Sequence, residues 1–150
     1  MITGFRHAGI VVRDLGASLA FYRDMLGLTV RARKAEEGPS IDTVLGLEGV
    51  KVTTVKLAPP EGGGMVELLS FASHPAPRGI SRTVYTPGPT HVAFTVRDLD
   101  ALFEALTREG VPFLSGPARS ADGSVRVCFC RDPDGTLVEL VEPQQGNTPP

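Results

Sequence analysis

The chain has 150 residues, a formal net charge of −2, and a sequence pI near 5.9. Its length and its 41% apolar residues suffice for one compact unit with a sizeable core. The charge balance provides no basic surface for nucleic acid or anionic lipid, so we expect a small-molecule partner. No leader-type segment opens the chain and no stretch approaches the ~20 apolar residues of a membrane span, which predicts a cytoplasmic protein.

A segment near the start of the chain recurs in its second half. Residues 7–15 read His-Ala-Gly-Ile-Val-Val-Arg-Asp-Leu, and residues 91–99 read His-Val-Ala-Phe-Thr-Val-Arg-Asp-Leu. The histidine, the apolar spacing and the Val-Arg-Asp-Leu ending recur together, which indicates an internal duplication.

Each copy of this segment is followed by a helical pattern, in which apolar residues recur at helical spacing. An aspartate stands at each N-cap position, and a glycine stands where the helix would end in a left-handed residue. These residues are Asp14 and Gly27 in the first half, and Asp98 and Gly110 in the second. Each half therefore begins as a strand followed by a helix.

Three strand-like runs follow each helix. They span 28–33, 51–57 and 65–71 in the first half, and 111–114, 125–130 and 136–141 in the second. The stretch from Asp132 to Gly135 has the composition of a tight turn before the last strand. The order of elements predicts an α+β fold of two tandem βαβββ modules.

The same pattern sets the expected domain organisation. We predict a single domain over 1–143, with module 1 at about 4–72, a proline-rich arm at about 73–89, module 2 at about 90–143, and a disordered tail over 144–150. An insertion over 35–49 carries apolar residues that favour a short amphipathic turn over a pocket. The two cysteines, Cys128 and Cys130, would share one face of a strand without disulfide geometry, so we expect two reduced thiols near the core.

Strand alternation singles out four candidate metal ligands. His7 and His91 fall on faces with mostly small residues, while Glu67 and Glu139 lie within otherwise apolar strands, where an ionised carboxylate needs a partner or a metal. Taken singly, each is more often structural, but the same pair recurs in both halves. Two imidazoles and two carboxylates suit Zn, Ni, Co, Mn or Fe(II). The sequence therefore predicts one divalent metal site.

Three residues of the arm are candidate substrate-binding residues. Arg78 and Arg82 can hold a substrate carboxylate or phosphate by bidentate pairing, although arginines on a solvated loop fit the sequence equally well. Tyr85 can donate a hydrogen bond at the mouth of a pocket.

From about Gly4 to Pro143 the chain resembles the vicinal oxygen chelate superfamily, which includes glyoxalase I, methylmalonyl-CoA epimerase, extradiol dioxygenases, and fosfomycin- and bleomycin-resistance proteins. The marks of the resemblance are His7, Glu67, His91 and the segment from Phe129 to Gly135 ahead of Val-Glu-Leu-Val. The resemblance implies paired βαβββ modules whose sheets curl around one metal, usually in a homodimer. The presence of all four ligands makes the chain most similar to the glyoxalase I and epimerase branch.

The resemblance also implies a chemistry. In that branch a divalent ion binds two vicinal substrate oxygens and stabilises an enediolate, and a carboxylate moves the proton. Glu67 and Glu139 would be the catalytic residues. The chain departs from bacterial glyoxalase I in having Val11 and Phe71 where that enzyme usually has an arginine and an asparagine for glutathione.

Three functions stay open at this point. The first is a metal-dependent isomerase, epimerase or lyase that acts through an enediolate on a small oxo or hydroxy acid, thioester or thiol adduct, with Ni, Co, Zn or Mn. The second is an Fe(II) dioxygenase that uses His7, His91 and Glu139. The third is a resistance-type protein that binds an antibiotic or metabolite without chemistry.

Overall fold

The structure is a computed structural model and describes residues 1–76 and 83–144. The chain divides into two compact units, Met1–Ile80 and Ser81–Pro150. Each unit is built on its own four-stranded mixed sheet, so the prediction of an α+β fold with two βαβββ modules is confirmed. Within the described residues, no helix has the length and apolar character needed to cross a membrane.

The first unit contains four strands and two helices. Helix α1 is α-helical over Leu15–Leu19 and continues as a π-helix over Ala20–Met25; the other elements are β1 (Ala8–Val11), β2 (Thr29–Glu37), α2 (Pro39–Leu45), β3 (Lys51–Ala58) and β4 (Val66–Phe71). The strand order is β1-β4-β3-β2, with β1 parallel to β4 and the other pairs antiparallel.

The second unit repeats this topology. Its elements are β5 (His91–Thr95), α3 (Leu99–Arg108), β6 (Ala118–Arg119), β7 (Val125–Arg131) and β8 (Leu137–Pro143). The strand order is β5-β8-β7-β6, and β5 runs parallel to β8. The strand predicted over 111–114 is wrong: that segment forms only an isolated bridge between Phe113 and Cys130. Pro112 has no backbone N–H to donate to a neighbouring strand, and the edge strand β6 forms after it.

The helix termini are built as the sequence predicts. Asp14 Oδ1 accepts a hydrogen bond from Ala17 N at 3.0 Å, and Asp98 Oδ1 accepts one from Ala101 N at 3.2 Å. The predicted C-terminal glycines, Gly27 and Gly110, have φ angles of 72° and 78°. The copies differ at the N-cap itself, because Asp14 is extended whereas Asp98 is left-handed, with φ 53°.

The insertion in the first unit forms the short helix α2, and none of its residues is buried. The carboxylate of Asp42 accepts hydrogen bonds from Gly49 N at 3.0 Å and Val50 N at 2.8 Å, which fixes the segment ahead of β3. Val44 is 74% exposed. The pocket expected beneath this helix stays a prediction.

The core of each unit lies on the face of the sheet that carries the helix. Alternate strand residues are buried there, such as Ile10, Leu57 and Leu68 in the first unit and Val138 and Leu140 in the second. Because successive strand residues face opposite sides, the residues between them form the other face, which holds the candidate ligands.

The two cysteines lie in the core of the second unit, as expected. Cys128 and Cys130 lie on the same face of β7 and are both buried free thiols. Burial raises the pKa of Cys128 to about 11 and that of Cys130 to about 12, because a thiolate is poorly solvated there. Neither thiol is suited to redox or metal chemistry.

The N-cap aspartates of α1 and α3 give a matched test of the left-handed backbone at Asp98. We expect Asp98→Ala to lower the free energy of unfolding by about 2 kcal/mol, because alanine removes the cap and tolerates a positive φ less well than aspartate does. Asp14→Ala removes only a cap and should cost about 1 kcal/mol. Asp98→Gly should lie close to the wild type. Urea denaturation measures all three, and equal losses in the two alanine variants would contradict the role of φ.

The buried thiols give a test of the second core. Alkylation requires the thiolate, and raised pKa values keep both thiols protonated in the folded chain. We expect iodoacetamide at pH 8 to label neither cysteine while the chain is folded and both in urea, as counted by mass spectrometry. Rapid labelling of the folded protein would show that β7 is not packed as described.

Candidate metal centre

The first pair of candidate ligands lies across the parallel strands β1 and β4. Gly9 is the register partner of Glu67, and His7 precedes Gly9 by two residues, so both side chains point to the same face. His7 Nε2 lies 2.9 Å from Glu67 Oε2. The side chain of Glu67 is only 13% exposed. A histidine nitrogen and a carboxylate oxygen therefore meet on the face opposite the core.

The second pair repeats this arrangement across β5 and β8. Ala93 is the register partner of Glu139, and His91 precedes Ala93 by two residues. His91 Nε2 lies 3.2 Å from Glu139 Oε2, and the glutamate side chain is 22% exposed. The structure thus brings each histidine together with the glutamate of its own module, at the same register position in both.

A small residue beside each glutamate leaves space on the sheet face for the paired side chains. A Cβ added to Gly9 would lie 3.3 Å from Leu69 Cδ1, which is closer than most real contacts. The equivalent residue of the second module is Ala93, also small. The imidazole and the carboxylate of each pair can therefore approach each other across the two neighbouring strands.

The second nitrogen of each histidine has a different environment in the two modules. His91 Nδ1 lies 2.8 Å from the hydroxyl of Thr90, a contact of the kind that orients a metal-binding imidazole. His7 Nδ1 is buried, and within the described part of the chain it has no hydrogen-bond partner. In both modules Nε2 is the nitrogen that faces the carboxylate.

The two pairs also differ in the residue beside the glutamate. Lys56 on β3 is the register partner of Glu67, and its Nζ lies 3.4 Å from Glu67 Oε1. Phe129 on β7 is the register partner of Glu139, and its ring packs edge-on against His91 with centroids 5.4 Å apart. Sequence reasoning missed Lys56, although its place between buried Val55 and Leu57 was a usable signal.

The donor atoms fit a divalent ion. Two ligands about 2.1 Å from one ion lie about 3.0–3.4 Å apart, close to the 2.9 Å and 3.2 Å found within the pairs. Imidazole nitrogen with carboxylate oxygen suits a borderline ion better than Ca²⁺ or Cu(I). In residues 1–76 and 83–144, no three His, Cys, Asp or Glu side chains are grouped to hold a metal. Each module supplies two donors.

The candidate substrate-binding residues of the arm are placed less favourably. Arg78 and Arg82 lie outside the described residues. Tyr85 lies in the turn closed by the hydrogen bond from Thr86 N to Thr83 O, and its side chain is 82% exposed. The part of the prediction that concerns these three residues stays a prediction.

Relatives of the chain cover almost all of its length. A lactoylglutathione lyase of Haemophilus influenzae is 28% identical over 138 residues, which is 91% of this chain and 90% of that protein. The uncharacterized protein YaeR of Escherichia coli is 30% identical over 139 residues, 91% of this chain and 93% of that protein.

Solved structures agree with these sequence comparisons. A glyoxalase family protein from Bacillus cereus superposes with a TM-score of 0.86 at 27% identity, covering 95% of both chains. The family model of the Glyoxalase/Bleomycin resistance protein/Dioxygenase superfamily matches residues 4–140, and the chain therefore belongs to that superfamily.

Proposed function

We propose that His7, Glu67, His91 and Glu139 bind one divalent ion, and that the protein is a glyoxalase-type isomerase, epimerase or lyase. The observation that carries the proposal is the recurrence of one His–Glu pair at the same register position in both modules. Each pair offers two of the donors that a catalytic ion needs.

The proposed reaction is the transfer of a proton to and from carbon. A divalent ion held by these residues would act as a Lewis acid that makes the C–H beside a substrate oxygen more acidic. Glu67 and Glu139 are the groups that accept the proton and return it, since each carboxylate lies at the site on the sheet face opposite the core. Their low exposure, 13% and 22%, keeps bulk water from the proton in transfer.

Two further observations support this class of activity. The Haemophilus influenzae relative bears the name lactoylglutathione lyase and aligns over nearly the whole chain, which gives a precedent for a glyoxalase-type reaction. Val11 is 51% exposed on the same sheet face as His7, where an apolar side chain offers glutathione no polar contact. We therefore propose a small oxo or hydroxy acid, thioester or other thiol adduct as substrate, with Ni, Co, Zn or Mn in the site.

We propose a homodimer as the working form, because the resemblance to the vicinal oxygen chelate superfamily implies one. One His–Glu pair is too few ligands for a firmly held ion, so a complete site needs one first module and one second module. Those modules belong either to one chain or to two chains, and both arrangements use the same four residues.

Metal content tests the ligand set. We expect reconstituted, washed wild type to hold about one Ni, Co, Zn or Mn ion per chain, and Glu67→Ala and Glu139→Ala to lose most of it. Glu36→Ala is the matched control, because Glu36 lies in the same sheet but pairs with Lys34. Elemental analysis measures the content, and proton exchange at the α-carbon of a 2-hydroxy acid should fall at least about 100-fold with either variant.

Other results would favour the other functions. Glu67→Ala that keeps Fe(II) as firmly as the wild type would point to a dioxygenase that uses the other three residues, and oxygen consumption would then be measured. A wild type that holds no metal but binds an apolar antibiotic would point to a sequestering protein.

Mixing two ligand variants tests how the modules combine. His7→Ala and His91→Ala should each fail to hold metal. If the site joins modules of two chains, mixed dimers regain one complete site and about half of the wild-type metal and activity per dimer. If the site lies within one chain, every site of the mixture lacks a histidine and nothing is regained. Refolding the variants together and separately, with equal total protein, separates the two cases.

A further inference from the structure

The side chain of Lys56 is the feature of the site that the metal proposal leaves unused. Lys56 lies in the middle of β3 and faces the same side as Glu67 and His7. Its side chain is 29% exposed, so it is partly accessible beside the carboxylate. Partial burial of a lysine ammonium at this position costs desolvation free energy unless an anion lies opposite it.

Two cations on β2, Lys34 and Arg31, have partners of their own. The Nζ of Lys34 lies 2.6 Å from Glu36 Oε1, and the guanidinium of Arg31 donates to the carbonyl oxygens of Pro59 and Pro60 at 3.3 Å. Among the described residues of β2 and β3, Lys56 is the cation that lies against the His7–Glu67 pair. In the second module the equivalent position is Phe129, which carries no charge.

The charges of a loaded site leave Lys56 without a dedicated counterion. A divalent ion cancels the two carboxylates of Glu67 and Glu139, so the ammonium becomes the remaining charge. An uncompensated ammonium beside a metal in a partly buried site is unfavourable until an anion arrives. One negative charge on the substrate restores neutrality, and a neutral substrate does not.

From this charge balance we propose that Lys56 is a specificity-determining residue, which binds an anionic oxygen of the substrate and makes the site selective for monoanions such as 2-oxo and 2-hydroxy carboxylates. The inference rests on the proposed metal site. Of the substrate classes named above, it selects the free acids over neutral thioesters and adducts.

A purely supporting role for Lys56 makes a different prediction. If the ammonium only neutralised Glu67, its loss would weaken the hold on the metal and would not distinguish charged from neutral ligands. If the ammonium binds substrate, its loss leaves the metal in place and weakens only the binding of anions. Metal affinity and anion affinity must therefore be measured separately.

The experiment compares lactate with lactamide, which share a shape and differ in charge. Both are titrated by calorimetry into wild type, Lys56→Met, Lys56→Arg and Lys34→Met, each loaded with the metal that the wild type retains. We expect Lys56→Met to bind lactate about 10-fold more weakly and lactamide unchanged. Lys56→Arg should keep most of the preference, and Lys34→Met, the matched control on the same sheet, should match the wild type.

The controls separate failure of this inference from failure of the proposed function. Metal content and thermal unfolding are measured first for every protein, and Lys56→Gln replaces Lys56→Met if the latter does not fold. A wild type without metal refutes the proposed function and this inference with it. A metal-loaded wild type with no preference for lactate, a Lys56→Met variant that keeps that preference, or one that loses metal instead refutes the inference alone.

Discussion

The parallel pairing of the first and last strands of each module is the constraint on which the site depends. It places Gly9 beside Glu67 and Ala93 beside Glu139, and so brings each histidine, two residues earlier, onto the glutamate's face. A slip of one residue would turn the carboxylate into the core, where its desolvation would be severe. The helix that joins the parallel strands to the rest of the module covers the other face, so burial of that face holds the register.

Much of this arrangement could be predicted because the same sequence pattern occurs in both halves of the chain. The repeat identified His7 and His91, and alternation against buried neighbours placed Glu67 and Glu139 on the right face. The aspartate caps and the C-terminal glycines were also predictable, since helix ends have local chemistry. The edge strand was not, because Pro112 interrupts the run that alternation favours, and β6 is only two residues long.

Features found in one module alone were harder to predict. Lys56 has no counterpart in the second half, so the repeat drew no attention to it, and only the register with Glu67 reveals its contact. The left-handed φ of Asp98 is likewise invisible in a sequence that shows Asp14 in the same place. Pairing between distant strands and backbone angles are set by the whole sheet, and a local pattern does not contain them.

The two modules therefore share some residues of the candidate site and differ in others. In the proposed metal site, the His–Glu pair that the modules share supplies the donors for the ion. The modules do not share the residue beside the glutamate: Lys56 puts a cation next to Glu67 in the first module, while Phe129 puts an uncharged aromatic ring next to Glu139 in the second. On these proposals the chemistry follows from the residues that the modules share, and the selectivity follows from the position in which they differ.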